Sequence, residues 1–373
     1  MLTAADLDLV NFSQIPELPI KIVENLGEKL YNMKIDDLQI LKGYEDKNYW
    51  LKPCCTENRF RWNKHGYVLK ITNERNSQIE GFIEAQVHLL KHLVDLGLRC
   101  PEPLPDVNGN LCSLQILNYD VDSREHVAQN HRHFVSLLVY IPGKMLSEIS
   151  IEEKHMRQVG MLLARFHEGS KSFRHPFYSQ PKETMWSLHS VHMVRSYLQH
   201  LPNGDKIQLV DFVIEKFLNK LAHAKQRYLI PQGIIHSDFN TNNLLVNDTG
   251  DGSYDVEAFL DVGDSHYGYL IFDLAVAVSY VLLETTDQSI LYVGNCVISE
   301  YQKIRPLVDE EKSTVFWSVC ARLCQSLTYG YHAWTINPTE GNIYVLQTQK
   351  NGWNVLNNLL AIGEEKIEKE WFN

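Results

Sequence analysis

The chain has 373 residues, of which 44% are hydrophobic and 22% charged, with 7 Trp, 18 Tyr and 14 Phe. These values exclude a disordered chain, which would have few aromatic residues and little apolar surface to bury. The 35 basic and 46 acidic residues give a net charge of −11. Because no basic block interrupts the sequence, it lacks the electrostatic footprint of a nucleic-acid-binding protein.

Cysteine usage and apolar runs indicate the compartment. Seven cysteines, an odd number, indicate reduced thiols rather than a disulfide framework. No C-x-x-C or H-E-x-x-H pattern occurs, so we expect no structural metal. The longest apolar stretch, 270–283, contains Asp273 and falls short of the ~20 residues that span a bilayer. We therefore expect a cytoplasmic protein that has no membrane or nucleic-acid partner.

The first part of the chain has strand-like periodicity around one helical segment. Apolar and polar residues alternate near 38–41, 49–51 and 67–71, and again at 111–117 and 134–140. Between them, apolar residues from Ile79 to Val94 recur at helical spacing, and Gly97 with three following prolines ends that helix. We predict a first domain, 1–140, in which a mainly antiparallel sheet packs against one main helix. The amphipathic residues before 30 are either a packing helix or an interface element.

The second part has helical periodicity. After a short Pro-Gly connector, apolar residues from Val159 to Phe166 lie on one helix face. Helical runs recur near 206–228, 268–284, 289–303, 309–334 and 342–369, and a strand-and-loop region lies at 234–264. We predict a larger, mainly helical second domain, 141–373. The two parts together predict an α+β protein.

The segment from Ile235 to Asp264 carries the clearest chemical pattern. Asp238 is followed by Asn243 and, 23 residues after Asp238, by Asp261, with apolar strand-like runs between them. A phosphoryl acceptor hydroxyl needs a carboxylate to orient it and accept its proton, and Asp238 supplies one. Asn243 and Asp261 offer the hard oxygen ligands that Mg²⁺ prefers, and Gly263 permits a sharp turn beside the metal. The spacing predicts a kinase-type active site.

Two upstream segments fit a nucleotide site. Lys70 lies in an apolar strand, and Glu84 lies fourteen residues later on the predicted helix. A strand lysine that orients donor phosphates and is held by a helix carboxylate is a feature of kinases. Gly43 and Asn48 lie in a loop between two predicted strands, where a loop over the phosphates is expected. This loop has one glycine instead of G-x-G-x-x-G, so Gly43 is equally a hairpin residue.

The strand that ends at Tyr140 runs into a Pro-Gly connector. This is where a kinase-type hinge presents backbone groups to the base, so we assign Leu138 and Tyr140 to the nucleotide site. No side chain there distinguishes adenine from guanine, so GTP and ATP both remain candidate donors.

These motifs resemble the aminoglycoside phosphotransferase-like small-molecule kinases. The resemblance covers most of the chain, and its specific parts are His236-x-Asp238 with Asn243, the segments 261–264 and 267–269, and the residues around Arg322. Ser237 stands where the family more often has glycine, and Val262 where an aromatic residue is common. Both differences leave the chemical groups intact.

The resemblance implies a bilobal protein-kinase-like fold and Mg²⁺-dependent phosphoryl transfer from GTP or ATP to 5-hydroxylysine, in amino-acid catabolism. This substrate carries ammonium groups and a carboxylate, so its pocket needs charges of both signs. We expect Asp264 or Asp273 near a cationic end, with Tyr267 nearby. Arg322 is expected on the carboxylate, which its planar fork can bind bidentately.

Three alternatives stay open at this stage. A related kinase for choline, homoserine, methylthioribose or an aminoglycoside would use the same catalytic residues with a different pocket. A degenerate kinase-like module would bind nucleotide without turnover. A protein kinase fits less well, because no A-P-E motif follows Asp261 and a helix follows within a few residues.

Overall fold

The computed structural model describes residues 18–41, 43, 46–54, 63–119, 129–181, 183–226, 230–338 and 345–373. The chain folds as two compact units. Of the described residues, those from 18 to 142 and His175–Phe177 form the N-terminal unit, and Gly143–Arg174 and those from Tyr178 to Asn373 form the C-terminal unit. The domain bounds expected from the sequence, 1–140 and 141–373, stay a prediction, because compactness alone does not establish where an independent domain begins.

The N-terminal unit is built on a six-stranded sheet. Its strands are β1 (Ile35–Leu41), β2 (Lys47–Pro53), β3 (Tyr67–Ile71), β4 (Pro103–Leu104), β5 (Ser113–Tyr119) and β6 (Gln129–Val139). The order is β1-β2-β3-β6-β4, with β5 also paired to β6, and every pairing is antiparallel. Alternate residues of β3 are buried, as the period-two pattern predicted.

In the described part of this unit, the sheet is accompanied by helices α1 (Ile20–Tyr31), α2 (Glu74–Ser77) and α3 (Phe82–Asp95). Helix α1 buries its apolar stripe in one cluster with side chains of β2, β3 and β6, so this amphipathic segment is a packing helix. Helix α3 contributes Ile83 and Val87 to a second cluster with Phe134. Because strand side chains alternate, Phe134 lies on the sheet face opposite Val135, which belongs to the first cluster.

The C-terminal unit is mainly helical. Its helices are α4 (Glu153–Ser170), α5 (Gly204–Gln226), α6 (Leu270–Glu284), α7 (Ile290–Ile304), α8 (Asp309–Ile336), α9 (Gln347–Ile362) and α10 (Glu364–Trp371). A short 3₁₀ segment lies at Leu146–Glu148 and a longer one at Leu188–His200, and another short one, Pro176–Tyr178, lies where the chain returns to this unit. The helical run expected at 342–369 is divided, because Gly363 at φ +86° separates α9 from α10.

Two small sheets support the catalytic segment of this unit. One has the order β10-β9-β7, formed by β7 (Lys144–Met145), β9 (Leu244–Asp248) and β10 (Tyr254–Phe259). The other pairs β8 (Gln232–Ile235) with β11 (His266–Tyr269). Asp238 follows β8, Asn243 directly precedes β9, and Asp261 follows β10. No helix in the described part of the chain is long and apolar enough to cross a membrane.

Candidate active site

The carboxylate of Asp238 is held at both of its oxygens. Asn243 donates from Nδ2 to Asp238 Oδ2 at 2.8 Å and to the Asp238 backbone carbonyl at 3.0 Å. Arg322 donates from Nη2 to Asp238 Oδ1 at 3.2 Å. The side chain of Asp238 keeps 27% of its surface exposed. A fixed carboxylate with a solvent-accessible face can orient an incoming hydroxyl group and accept its proton.

The loop that carries Asp238 is anchored by Asp273 at the start of α6. The amide N–H groups of His236 and Ser237 donate to Asp273 Oδ2 and Oδ1, each at 2.6 Å. His167 Nε2 lies 3.0 Å from Oδ2, and neither side chain of this His–Asp pair has any exposed surface. Since both oxygens are occupied and buried, the expected substrate contact of Asp273 is corrected: this carboxylate holds the catalytic loop.

Burial and hydrogen bonding determine the charges in this anchor. Burial raises the pKa of Asp273, but the bonds from His167 and from the backbone of His236 outweigh it, so the pKa lies below the usual value. Burial also lowers the pKa of His167, more than its bond to Asp273 raises it. The neutral imidazole therefore donates to Asp273 and accepts from the hydroxyl group of Tyr301, whose oxygen lies 2.7 Å from Nδ1.

Two residues of the catalytic segment have left-handed backbone conformations. Ser237 lies at φ +68° and Asp261 at φ +52°. A side chain in this region costs about 1–2 kcal/mol, so strain is concentrated beside the two carboxylates of the predicted site. At the position of Ser237, the family that the motifs resemble more often has glycine. Glycine adopts this conformation without strain.

Asn243 and Asp261 form the predicted metal position. The amide N–H of Leu260 donates to the Asn243 carbonyl at 2.8 Å, which ties Asn243 to the residue before Asp261. Asp261 is exposed, and its Oδ1 accepts the Gly263 N–H at 3.1 Å. Asn243 turns its amide nitrogen to Asp238, which leaves its amide oxygen for a metal ion. This amide oxygen and the carboxylate of Asp261 are the kinds of ligand that Mg²⁺ prefers. In the described ranges, this position included, no group of three or more His, Cys, Asp or Glu side chains is placed to hold a metal.

Arg322 lies beside the carboxylate of Asp238. Its side chain, on α8, is only 2% exposed, and its guanidinium group faces Asp238. Nη1 donates to the Trp186 carbonyl at 2.9 Å and to Gln325 Oε1 at 3.1 Å. These partners take up both terminal nitrogens of the group, while its Nε is buried without a hydrogen-bond partner. The expected bond from Arg322 to a substrate carboxylate stays a prediction.

The remaining substrate candidates are half-buried. Asp264 accepts a bond from the side chain of His266 through its backbone carbonyl at 2.8 Å. Its charge contributes to the raised pKa of Arg322, so the two side chains are close enough to interact. Tyr267 lies on β11, pairs with Ile234 and forms a bridge with Pro181. The assignment of Asp264 and Tyr267 to substrate binding stays a prediction.

In the N-terminal unit, Lys70 has a carboxylate partner that the sequence did not reveal. Lys70 Nζ lies 3.0 Å from Asp46 Oδ2. The other oxygen of Asp46 accepts the backbone N–H of Asn73 at 2.8 Å. Glu84 lies in the first turn of α3, and its Oε2 is buried without a hydrogen-bond partner. The structure thus describes Asp46 as a partner of Lys70, and a nucleotide role for Glu84 stays a prediction.

The other nucleotide candidates lie on the same sheet. Asn48 on β2 pairs with Lys70 on β3. A Cβ atom at Gly43 would overlap the Asp46 carbonyl and lie 2.8 Å from Asn48 Nδ2, so this close turn requires glycine. Leu138 lies on β6 opposite Val68 and is buried, and the amide of Tyr140 donates to the Gly66 carbonyl. Their contact with a base stays a prediction.

The antiparallel sheet with its helices, the larger helical unit and the Asp238–Asn243–Asp261 arrangement together define a kinase-like phosphotransferase that uses a hydroxyl group as acceptor. The chain belongs to the phosphotransferase enzyme family, whose profile matches residues 38–304. This match confirms the resemblance to small-molecule kinases that the sequence motifs indicated.

Similar proteins cover nearly the whole chain. Hydroxylysine kinase of Mus musculus is 29% identical in an alignment of 357 residues that covers 93% of this chain and 90% of that protein. Hydroxylysine kinase of Danio rerio is 28% identical and covers 96% of both chains. Among solved structures, a microcompartment-associated aminopropanol kinase superposes with a TM-score of 0.63 at 16% identity, covering 95% of this chain and 99% of its own. The last comparison shows the fold alone.

Proposed function

We propose that this enzyme transfers the terminal phosphoryl group of GTP or ATP to the side-chain hydroxyl of 5-hydroxy-L-lysine, giving 5-phosphohydroxylysine in amino-acid catabolism. The observation that carries the proposal is the similarity to hydroxylysine kinases over more than nine tenths of this chain. The geometry of Asp238 supports the same chemistry, because a fixed and accessible carboxylate is what an acceptor hydroxyl requires.

In the proposed reaction, Asp238 orients the acceptor hydroxyl and accepts its proton as the oxygen attacks the terminal phosphorus. Lys70, held by Asp46, orients the phosphates of the donor. Asn243 and Asp261 would hold Mg²⁺, which supplies charge neutralisation at the phosphate oxygens when bound. Asp273 keeps the loop of Asp238 in place, so the base meets the substrate without a costly rearrangement.

Asp264 and Tyr267 are the proposed contacts for the substrate's ammonium group. Asp264 is a half-buried carboxylate close to the guanidinium group beside Asp238. A carboxylate in this position would attract a cationic substrate. The substrate and the nucleotide are the partners that we propose.

We also propose the cytoplasm as the compartment. The cysteines that the structure describes are free thiols, five of them buried and Cys54 exposed. Free thiols are typical of reducing compartments, where disulfides are rare.

The test measures release of nucleoside diphosphate by the purified protein with Mg²⁺ and either GTP or ATP. The acceptors are 5-hydroxylysine, lysine, choline, homoserine, methylthioribose and an aminoglycoside. We expect turnover with 5-hydroxylysine and none with lysine, since lysine lacks only the accepting hydroxyl. Turnover driven by another acceptor would replace the proposed substrate, and silence with every acceptor would favour a binding module.

A pair of variants tests the catalytic role of Asp238. Asp238→Asn is expected to lower kcat by about 10²–10⁴-fold, the usual contribution of a general base, with nucleotide binding retained. Asp248→Asn is the matched control, because Asp248 is an exposed carboxylate at the end of β9 in the same unit, where it accepts the Gly250 N–H. Equal activity of the two variants would remove Asp238 from the reaction.

A further inference from the structure

The guanidinium group of Arg322 is buried among fixed partners, and the side chain is only 2% exposed. Besides Asp238, it contacts the Trp186 carbonyl, Gln325 and the hydroxyl of Tyr280, the last at 3.5 Å. Its Cζ atom lies 5.1 Å from the ring centre of Trp186 and 5.5 Å from that of Tyr280. Aromatic rings and fixed acceptors on several sides hold the plane of the group in one orientation.

The position of this group determines the orientation of the catalytic carboxylate. Asp238 Oδ1 faces Arg322 and Oδ2 faces Asn243, so rotation of the carboxylate would break both hydrogen bonds. Each carboxylate oxygen has more than one acceptor site, so either can still accept a bond from a substrate hydroxyl. Arg322 and Asn243 thus fix the direction from which a hydroxyl group can approach Asp238, and they leave acceptor sites on its carboxylate for that hydroxyl group.

We infer that Arg322 is a positioning residue that orients Asp238 toward the acceptor hydroxyl and does not bind the acceptor itself. The inference rests on the proposed phosphoryl transfer and deepens it. Helix α8 begins at Asp309, beyond the residues 38–304 that match the family profile, so this contact comes from a part of the chain that the profile does not describe.

Gln325, one turn further along α8, extends the same arrangement. Its Nε2 donates to the Met185 carbonyl at 2.9 Å and to the Ser187 carbonyl at 3.3 Å. Together with the Arg322 bond to Trp186, these contacts fasten segment 185–187 to the helix that holds Asp238. A lysine at 322 would carry the same charge but could not point two nitrogens at Asp238 and Trp186 in one plane.

The test is a double-mutant cycle with Asp238→Asn, Arg322→Met and the double variant, with Arg322→Lys as the conservative change. Kinetics are measured with the acceptor that the wild-type enzyme uses and with the decarboxylated analogue of 5-hydroxylysine. Unfolding midpoints are measured for the same proteins, which requires no turnover. Arg157→Met is the control, since this half-buried arginine pairs with Glu153 and Glu300.

If Arg322 acts through Asp238, Arg322→Met lowers kcat by ~10²-fold and leaves the acceptor KM within about threefold. The double variant is then no slower than Asp238→Asn alone, because the orientation of a missing base has no further effect. Arg322→Lys recovers only part of kcat, and the control retains full kcat. Arg322→Met lowers kcat by the same factor for 5-hydroxylysine and for its decarboxylated analogue.

Two results would overturn the inference. A raised KM at unchanged kcat, lost with the decarboxylated acceptor, would return Arg322 to substrate binding. Multiplicative losses in kcat, or additive shifts in the unfolding midpoint, would show that Arg322 and Asp238 act independently. Failure of the wild type to use 5-hydroxylysine would refute the proposed substrate, whereas the midpoint cycle would still decide whether the pair is coupled.

Discussion

Replacing Asp273 by asparagine removes the charge of the catalytic-loop anchor while keeping its shape. The carboxylate accepts the N–H groups of His236 and Ser237 at 2.6 Å and lies 3.0 Å from His167 Nε2. An amide can keep one acceptor oxygen, but its NH₂ group then faces a backbone N–H. One bond to an ionised group, about 1.5–3 kcal/mol, is lost, and one buried N–H is left unsatisfied at a cost of about 1–3 kcal/mol.

We therefore expect Asp273→Asn to lower the free energy of unfolding by about 2.5–6 kcal/mol, a large share of the 5–15 kcal/mol typical of folded proteins. Because Asp238 follows Ser237 directly, displacement of the loop should also lower kcat by ~10–10²-fold with little change in the acceptor KM. Urea unfolding and steady-state kinetics measure the two effects.

The matched control is Asp106→Asn. Asp106 is also fully buried and accepts backbone N–H groups, from Asn108 and Asn110, but it belongs to the N-terminal unit. Both bonds end on Oδ1, which asparagine also supplies, so Asp106→Asn should lose less stability than Asp273→Asn and should retain kcat. If Asp273→Asn raised the acceptor KM while its unfolding free energy stayed within about 0.5 kcal/mol of wild type, a range typical of neutral surface changes, the anchoring role would be refuted.

Three further predictions follow from the packing. Burial, with the charges of two neighbours, lowers the pKa of His189 to about 3. The native form therefore binds fewer protons than the unfolded form below pH ~6.5, and the free energy of unfolding falls by roughly 1–2 kcal/mol between pH 7 and pH 5. The urea midpoint of His189→Phe should lose this part of its pH dependence, and the same pH dependence as in the wild type would contradict the prediction. A Cβ atom at Gly160 would overlap the Val297 carbonyl, whereas one at Gly204 meets nothing within 4 Å. Thermal unfolding should show that Gly160→Ala is less stable by about 1–3 kcal/mol and that Gly204→Ala is unaffected. Equal stability of the two variants would mean that α4 and α7 separate at little cost. Ser237→Gly should relieve the strained φ of +68° and retain activity. The gain should be roughly 0.5–1 kcal/mol, because the greater conformational entropy of glycine in the unfolded chain offsets part of the relieved strain. A glycine variant that is less stable in chemical unfolding would show that Ser237 is not strained.

The parts of the fold that were predictable from the sequence are those with local signals. Strand alternation and helical periodicity located the sheet and most helices, and the spacing of Asp238, Asn243 and Asp261 located the catalytic segment. These patterns depend on neighbours within one element or one loop, where backbone geometry alone relates the side chains.

The partners of the charged groups were not predictable in the same way. Arg322 lies 84 residues from Asp238, and Asp273 is 106 residues from His167, so only tertiary packing decides that they meet. A carboxylate buried at Asp273 is costly by itself, and the backbone N–H groups that offset this cost carry no sequence signal. The pairing of Lys70 with Asp46 was missed because acidic residues in a polar loop usually serve as turn formers.

The bonds from α8 to segment 185–187 end on backbone carbonyl groups, at Met185, Trp186 and Ser187. A carbonyl is present whatever side chain a position carries, so a residue such as Met185 can be exchanged during evolution or in a directed library without loss of these bonds. Changes that shift the chain itself, such as an insertion or a proline, would reach Asp238 through Arg322. This part of the enzyme is therefore tolerant of new side chains and intolerant of new lengths.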